Sequence, residues 1–468
     1  MALMEKLLPI YHRFPYPLKV LTASLQGYCL RRRRYGAETE PLVAAALGRE
    51  TWSAQQWQAW QGERLATALT RAATQVPYYR EQWAKRRRQG DRASWEFLEN
   101  WPILEKEPLR ANPQAFVAED CNIKRMICLH TSGTSGKPLT VYRSYATELA
   151  YYAIFEARNR RWYGISRHDP WAILGGKLVT PVWRRRPPFW VWNAGLKQLY
   201  MSSYHLAPDL IPYYLDALVK YGIKYLWGYT SSLYALALEA LQLKRRELHL
   251  AVALTNAEPV LDYQRRVINE AFQCPVRENY GMTEIVAGAS ECQYGTLHLW
   301  PEMGVLEVVD GAQQVQPGTS GNLICTSLLN LDMPLIRYRV GDQGALPEED
   351  RPCQCGRTLP ALARVEGRVD DVLFTADGRR IGRLDPIFKG DLPIREAQII
   401  QESLRQIRVR YVPTPQFTAR ARNSLIEQLQ ARLGQVEVLL EPVAEIPRGP
   451  SGKFRAVISK LPIAQEVK

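Results

Sequence analysis

The chain has 468 residues, of which 46% are hydrophobic and 23% charged, a composition that excludes a wholly disordered protein. Its 31 Pro and 30 Gly follow no period, which excludes collagen-like repeats, and eight Cys in this length do not make a disulfide scaffold. Lys and Arg exceed Asp and Glu by 61 − 47 = 14, which raises a nucleic-acid or membrane-surface reading that the motifs must decide.

Lys6, Arg13 and Lys19 interrupt any apolar run near the start, and Pro9, Pro15 and Pro17 break it further, so it does not read as a signal peptide. No stretch approaches the ~18 consecutive apolar residues of a membrane-spanning helix, and a cytoplasmic location is expected. Residues 1–120 read as a mostly helical segment punctuated by prolines. Trp57, Trp60, Leu65 and Leu69 recur at helical spacing within 53–76, ahead of Pro77. From about 126, short apolar runs (126–130, 224–229, 249–254) alternate with helical patterns at 144–159, 231–245 and 260–272, which predicts an α/β sheet. Segments 304–310, 321–327 and 334–340 predict strands of a small antiparallel unit within a β-rich stretch of about 290–366. The last part, 371–468, reads as a compact α+β lobe with a turn at Asp377-Gly378, a helix around 422–433 and a strand near 435–443. The expected organisation is a large region over 1–370 and a small lobe over 371–468.

The segment LHTSGTSGKPLTVYRS (129–144) follows a strand-like run and precedes a helix. Gly133 and Gly136 allow close backbone approach, so the loop N–H groups can surround phosphate oxygens; Ser132, Thr134 and Ser135 add hydroxyls and Lys137 a cation. A P-loop needs four residues between its glycines and then Gly-Lys-Ser/Thr. Here two residues separate them and Pro138 follows the lysine, so that reading fails on spacing. Alone, the loop reads equally as a surface turn.

Further motifs follow in order: NAEP (256–259), ENYGMTE (278–284), RYRVGD (337–342), GRVDD (367–371) and SGKFR (451–455). Together with the loop they resemble the adenylate-forming superfamily of acyl- and aryl-CoA ligases, most closely its phenylacetate-CoA ligase-like branch, including relatives linked to capsular polysaccharide synthesis. The resemblance runs from about residue 55 to the C-terminus. It implies a large α/β adenylation region with a mobile small lobe, an enzyme of the acid-thiol ligase type, and activation of a small carboxylic acid by ATP and Mg²⁺ with transfer to CoA.

The resemblance assigns Ser132–Lys137 to ATP phosphates, Asn256, Ala257 and Glu258 to a stretch along the adenine, and Tyr280 with Gly281 to the purine. Thr283 is expected to donate to the α-phosphate, Glu284 is a hard oxygen ligand for Mg²⁺, and Asp342 accepts the ribose hydroxyls with Arg368 beside it. Lys453 matches the adenylation lysine, whose ammonium offsets charge developing on phosphate oxygens; with Thr283 and Glu284 it makes the expected catalytic set. Asp370 falls at the hinge between lobes. Read alone, Tyr280 fits a half-buried core tyrosine, Asp370 a turn and Lys453 an exposed tail lysine.

Beyond the hinge, phenylacetate-type ligases run into Gly-x-Asn-x-Phe-Pro, where this chain has DVLFTADGRRIGRLDPIFKG. That departure leaves open an acceptor other than CoA, a sugar, amine or carrier in capsular or extracellular polysaccharide synthesis. A non-catalytic binding relative would have lost Thr283, Glu284, Asp342, Arg368 and Lys453, all of which are present. Ala257 stands where glycine is common.

Cys292 and His298 (C-x₅-H) with Cys353 and Cys355 (C-x-C) make a Cys₃His set suited to structural Zn²⁺, and the branch carries a similar pattern through Gly356 and Arg357. Cys29, Cys121, Cys128, Cys274 and Cys325 read as buried or half-buried thiols. His130 and His205 fit either a site or a structural role, and Trp171, Trp183, Trp190 and Trp192 with Gly175-Gly176 suggest an aromatic pocket or plain packing. Arginine runs at 31–34, 85–88 and 184–186 come with no nucleic-acid-reading module, so no nucleic-acid partner is expected. The moderately apolar segment 16–34, ending in four arginines, leaves membrane-surface contact as a second reading beside solvated helix ends. Oligomeric state is not legible.

Overall fold

The structure, a computed structural model, describes residues 10–131, 139–349, 351–366, 373–381, 384, 387, 392–444, 446 and 456–461. Five helices open it: α1 (Tyr16–Arg34), α2 (Thr39–Gly48), α3 (Ala54–Gln75), α4 (Pro77–Arg88) and α5 (Lys106–Ala111). The boundaries follow local chemistry. Ser53 and Gln56 exchange side-chain and backbone hydrogen bonds as a capping box at the start of α3, and Pro77 both ends it and opens α4.

An antiparallel ribbon, β1 (Ile127–His130) and β2 (Thr140–Arg143), leads into α6 (Tyr145–Asn159). Alternation follows: β3 (Trp171–Gly175), β4 (Trp190–Asn193), β5 (Gln198–Ser202), α7 (Ile211–Lys220), β6 (Tyr225–Tyr229), α8 (Thr230–Gln242), β7 (Val252–Asn256), α9 (Asp262–Phe272) and β8 (Val276–Gly281). Then come β9 (Gly288–Glu291), β10 (Leu297–Leu299), β11 (Gly304–Asp310), β12 (Gln313–Gln314), β13 (Gly321–Ser327), β14 (Tyr338–Ala345), β15 (Ala361–Leu362) and β16 (Arg364–Glu366). The C-terminal part holds β17 (Leu373–Phe374), β18 (Arg380–Ile381), β19 (Ile394–Ser403), β20 (Gln406–Pro413), α10 (Ala419–Leu433), β21 (Glu437–Pro442) and β22 (Val457–Ser459).

Among the described residues, nine strands form one sheet in the order β15-β10-β9-β8-β7-β6-β3-β5-β4. Its centre, β8 through β5, is parallel, and antiparallel strands close both edges. Helices cover both faces, which is why YLWGY and VALTN are buried at almost every position. Leu226 and Ala253 pack toward α7, α8 and α9, whereas Tyr225, Trp227, Val252 and Leu254 pack toward Phe155 of α6. The fold class is therefore α/β, as the alternation predicts.

A five-stranded antiparallel sheet, β12-β11-β13-β14-β16, packs Val308, Leu323, Cys325 and Tyr338 against Leu69, Ala72, Tyr79 and Trp83 of the N-terminal helices. Two details differ from the sequence reading. The strand expected over 334–340 starts at Tyr338, because Arg337 takes a left-handed conformation (φ 47°) that breaks extension. The flanks of the stretch 290–366, β10 and β15, pair into the edge of the large sheet.

In the C-terminal part, β21-β20-β19-β22 form a sheet whose Ile399, Ile407 and Val409 pack on Leu425, Leu429 and Leu433 of α10. Leu178 and Tyr204 of the large region join that core, and Arg379 donates to the carbonyls of Tyr204, Arg432 (2.8 Å) and Leu433 (3.1 Å). The expected boundary at 370/371 lies outside the described residues. Of the cysteines, Cys274 and Cys325 are buried and Cys121 half-buried, but Cys29 and Cys128 are exposed. Cys29 lies on the outward side of α1 and Cys128 on the uncovered face of a two-stranded ribbon.

Candidate active site

Adjacent parallel strands β6, β7 and β8 end level with one another, with Tyr229 opposite Asn256 and Asn256 opposite Asn279. Two motif segments, Asn256-Ala257-Glu258 and Tyr280 through Glu284, therefore leave the sheet along one edge, beside Thr230-Ser231 at the start of α8. In open α/β sheets the crevice beyond the carboxyl ends of the strands is where ligands bind.

Each residue there is held in place. The Asn256 amide donates to Gly228 O (3.0 Å) and its carbonyl accepts from the Trp227 indole (2.8 Å). Ala257 turns the chain with φ 62°, a conformation that glycine adopts without strain. Glu258 folds back to α8, where its carboxylate accepts from Ser231 N (2.7 Å) and Ser231 Oγ (3.1 Å). That carboxylate thus complements the positive end of α8 and fixes the turn, leaving backbone along the crevice.

Beyond β8, Gly281 is exposed with open space where a Cβ would sit, Thr283 is half-buried and Glu284 is buried. The Tyr280 hydroxyl donates to Asp342 Oδ2 (3.0 Å). Burial, together with the Asp342 and Glu284 carboxylates, holds that hydroxyl protonated far above the ordinary tyrosine range. Asp342, half-buried in β14, is thereby tied to the edge of the large sheet. A residue not singled out in the sequence completes the set: Tyr338 donates to Glu284 Oε1 (2.9 Å). It sits in the same RYRVGD motif as Asp342, with Gly341 (φ 89°) and a break in the β13–β14 register between them. Next to it Arg337 forks onto Glu307 (3.0 and 3.1 Å) and reaches Trp101 O, fixing the start of the strand.

Ser132, Gly133, Thr134, Ser135, Gly136 and Lys137 lie outside the described residues, as do Arg368, Asp370 and Lys453. The base of that loop is closed by Thr131 N to Leu139 O (3.0 Å) and Leu139 N to Thr131 Oγ1 (2.9 Å).

Of the two readings of the tryptophans, pocket or plain packing, the structure shows packing for three and exposure for one. Trp171 stacks on Tyr225 (5.7 Å), Trp190 packs by Tyr214, Trp192 stacks on Tyr221 (5.0 Å), and Trp183 is 82% exposed. His205 is structural: buried against Phe189 (4.8 Å), it bonds Ser202 Oγ and Pro181 O, and burial lowers its pKa to about 4. His130 sits by Thr140 Oγ1 (3.2 Å).

The Cys292, His298, Cys353 and Cys355 donor atoms all lie within 4.8 Å of one another. Cys292 and Cys353 sulfurs are 3.7 Å apart, and Cys355 Sγ is 3.3 Å from His298 Nε2. A tetrahedron with Zn–S bonds of ~2.3 Å has edges of ~3.8 Å, so the donor set fits that ion. His298 Nδ1 donates to Leu359 O (3.0 Å), which fixes the ring with Nε2 toward the thiols. Against the burial that raises it, hydrogen bonding from His298 and backbone N–H groups brings the Cys292 thiol down to about 6. Arg357, just past the C-x-C pair, bonds Glu50 (2.9 Å) and lies over Trp162 (4.1 Å). Glu50 also meets buried Arg158, which forks onto Glu302 at 2.7 Å, so this corner is locked to the N-terminal helices.

The family described as the CapK C-terminal domain matches residues 373–460. The chain is 26% identical over 396 residues to protein CapK of Staphylococcus aureus, covering 82% of this chain and 85% of that protein. It is 26% identical over 348 residues to phenylacetate-coenzyme A ligase of Escherichia coli (strain K12), covering 69% and 74%. A crystal structure of 2-hydroxyisobutyryl-CoA ligase in complex with 2-HIB-AMP and CoA superposes with TM-score 0.56 at 21% identity, covering 88% and 91%; this likeness concerns the fold.

Proposed function

We propose a reaction from the premise that this chain belongs to the adenylate-forming superfamily, in the branch where phenylacetate-CoA ligases and CapK fall, and is an enzyme of the acid-thiol ligase type. A carboxylate oxygen of the acid attacks the α-phosphorus of ATP, the bond to the pyrophosphate oxygen breaks, and an acyl-adenylate and pyrophosphate result. The CoA sulfur then attacks the acyl carbon, its proton is lost and AMP leaves. In this reading Asp342 accepts the ribose hydroxyls with Arg368 beside it, Tyr280 holds Asp342 and flanks the purine with Gly281, and the Asn256–Glu258 backbone lies along the adenine. Thr283 donates to the α-phosphate, Ser132 through Lys137 enclose the outer phosphates, and Lys453 meets charge developing in the transition state. Glu284, steadied by Tyr338, would hold Mg²⁺, which supplies charge neutralisation at the phosphates. Asp370 is the hinge, and 371–468 the lobe that turns. Cys292, His298, Cys353 and Cys355 would hold a structural Zn²⁺.

The observation that supports this most is the convergence at one sheet edge of two motif segments and Asp342, joined through the Tyr280–Asp342 hydrogen bond. Pyrophosphate release tests it. Release that depends on one class of acid, and falls ~10²-fold or more in Lys453→Ala, is expected. No release with aryl, fatty, amino or hydroxy acids overturns it.

A second reading keeps adenylation and changes the acceptor to a sugar, amine or carrier, in capsular or extracellular polysaccharide synthesis. It is favoured by the charged turn after the hinge, where Asp377 bonds Arg185 (3.1 Å) and Arg379 is spent on backbone carbonyls. Acyl-CoA in the products supports the first reading; unchanged adenylate turnover with and without CoA supports the second.

A further inference from the structure

We infer that helix α1 and the loop after β3 form a docking surface for an anionic lipid bilayer. The helix is turned inside out relative to an ordinary surface helix, which buries its apolar stripe. It buries Lys19, Ser24 and Gly27 against the protein and exposes Leu18 (44%), Leu21 (54%), Leu25 (58%) and Tyr28 (54%). The spacing i, i+3, i+7, i+10 puts these four on one face, and Arg32 continues it at i+14.

The packing explains why the small and polar face must point inward. Ser24 Oγ accepts from Ala194 N (3.0 Å), and a Cβ on Gly27 would fall 1.7 Å from Asn193 Oδ1. A Cβ on Gly195 would fall 2.2 Å from Tyr28 N, so helix and backbone touch without room for larger side chains. Lys19 Nζ donates to Val179 O (3.3 Å), and His12 Nε2 bonds Leu178 O (3.0 Å). These contacts bring the loop that follows Gly175 beside the start of the helix. That loop carries Trp183, 82% exposed, and the exposed Arg184, Arg185 and Arg186.

The result is a stripe of three leucines and a tyrosine about 15 Å long, with an indole and an arginine cluster at one end and Arg31 and Arg32 exposed at the other. Charge decides the occupant. A second copy pairing through α1 would bring arginines onto arginines, whether the two helices ran parallel or antiparallel. Lipid phosphates complement both ends while the leucines and tryptophan enter the headgroup boundary, the arrangement of an interfacial helix. Among the described residues no helix is long and apolar enough to cross a membrane, so contact is with the surface.

Flotation of the full chain with vesicles of phosphatidylcholine, alone and with phosphatidylglycerol, tests this at low and high salt. The chain is expected to float with the anionic vesicles roughly tenfold more than with neutral ones, and less at high salt. Leu21→Ser with Leu25→Ser should abolish flotation at an unchanged melting temperature, since both side chains are exposed. Arg32→Gln with Arg184→Gln and Arg186→Gln should erase the preference for anionic vesicles. The proposal is overturned if the chain stays in the aqueous phase at low salt, or if the leucine variant floats undiminished. It is also overturned if sedimentation reveals a dimer that the leucine variant dissociates.

Discussion

At the scale of single residues, the site is a set of tied carboxylates. Glu284 is buried with a tyrosine hydroxyl on one oxygen, and removing such a donor from a buried carboxylate costs about 1.5 kcal/mol or more. Tyr338→Phe is therefore expected to raise the Mg²⁺ concentration needed for half-maximal activity about tenfold, with KM for the acid unchanged. An unaltered Mg²⁺ requirement would show that the contact does not steady Glu284. Glu278, on the same strand as Tyr280, gives a pH signature. Burial and then the Glu291 charge raise its pKa from 4.5 to about 7, against Arg265. The native state holds a proton that the unfolded state has lost, so this stabilisation is complete below about pH 4.5 and disappears as pH rises through 7. Glu278→Gln removes that dependence. Relative to the parent, the variant should gain at most about 3 kcal/mol in urea unfolding between about pH 5 and pH 8. Equal curves at both pH values would contradict the assignment.

At the scale of elements, the Cys₃His cluster joins the β9–β10 hairpin to the segment that leads into β15, across the edge of the large sheet. Purified without chelator, the chain is expected to carry one Zn²⁺, and stripping it should lower the melting temperature by several degrees. A metal-free preparation with the same melting curve would refute the staple. Here the sequence was informative because ligand chemistry needs particular residue types at short spacings, and those can be read directly. Helices at 145–159, 230–242 and 262–272 and strands at 304–310 and 321–327 were legible for the same reason: periodicity and turn residues are local. What periodicity cannot carry is long-range partnering. Nothing local announces that Tyr338 reaches Glu284, that Glu258 caps α8, or that Arg357 and Arg158 converge on Glu50. The four tryptophans and His205 suggested a pocket through composition alone. Their rings are consumed by packing on neighbouring tyrosines, by burial against Phe189, or by exposure at Trp183. The inverted polarity of α1 was likewise hidden, because a run of alternating leucines and small residues does not say which face points inward.

At the scale of the whole molecule, the 61 Lys and Arg residues divide into different uses. Arg158, Arg49 and Arg357 are spent on Glu302 and Glu50 inside the fold, and Arg33 and Arg34 on Glu148 and Tyr152. Arg86 pairs with Asp91 and lies over Trp83, which accounts for part of the run at 85–88. The exposed remainder near α1 is the part that asks for an anionic partner. The C-terminal part meets the large region through Tyr204, Leu178 and the Arg185–Asp377 pair, contacts that a turning lobe would have to exchange. The central claim is that this framework joins an acid to AMP, and acid-dependent exchange of pyrophosphate into ATP, without CoA, tests it most directly. The account predicts exchange with one class of carboxylic acid and a fall of ~10²-fold or more in Asp342→Ala. Exchange undiminished in that variant, or absent with every acid class, would contradict it.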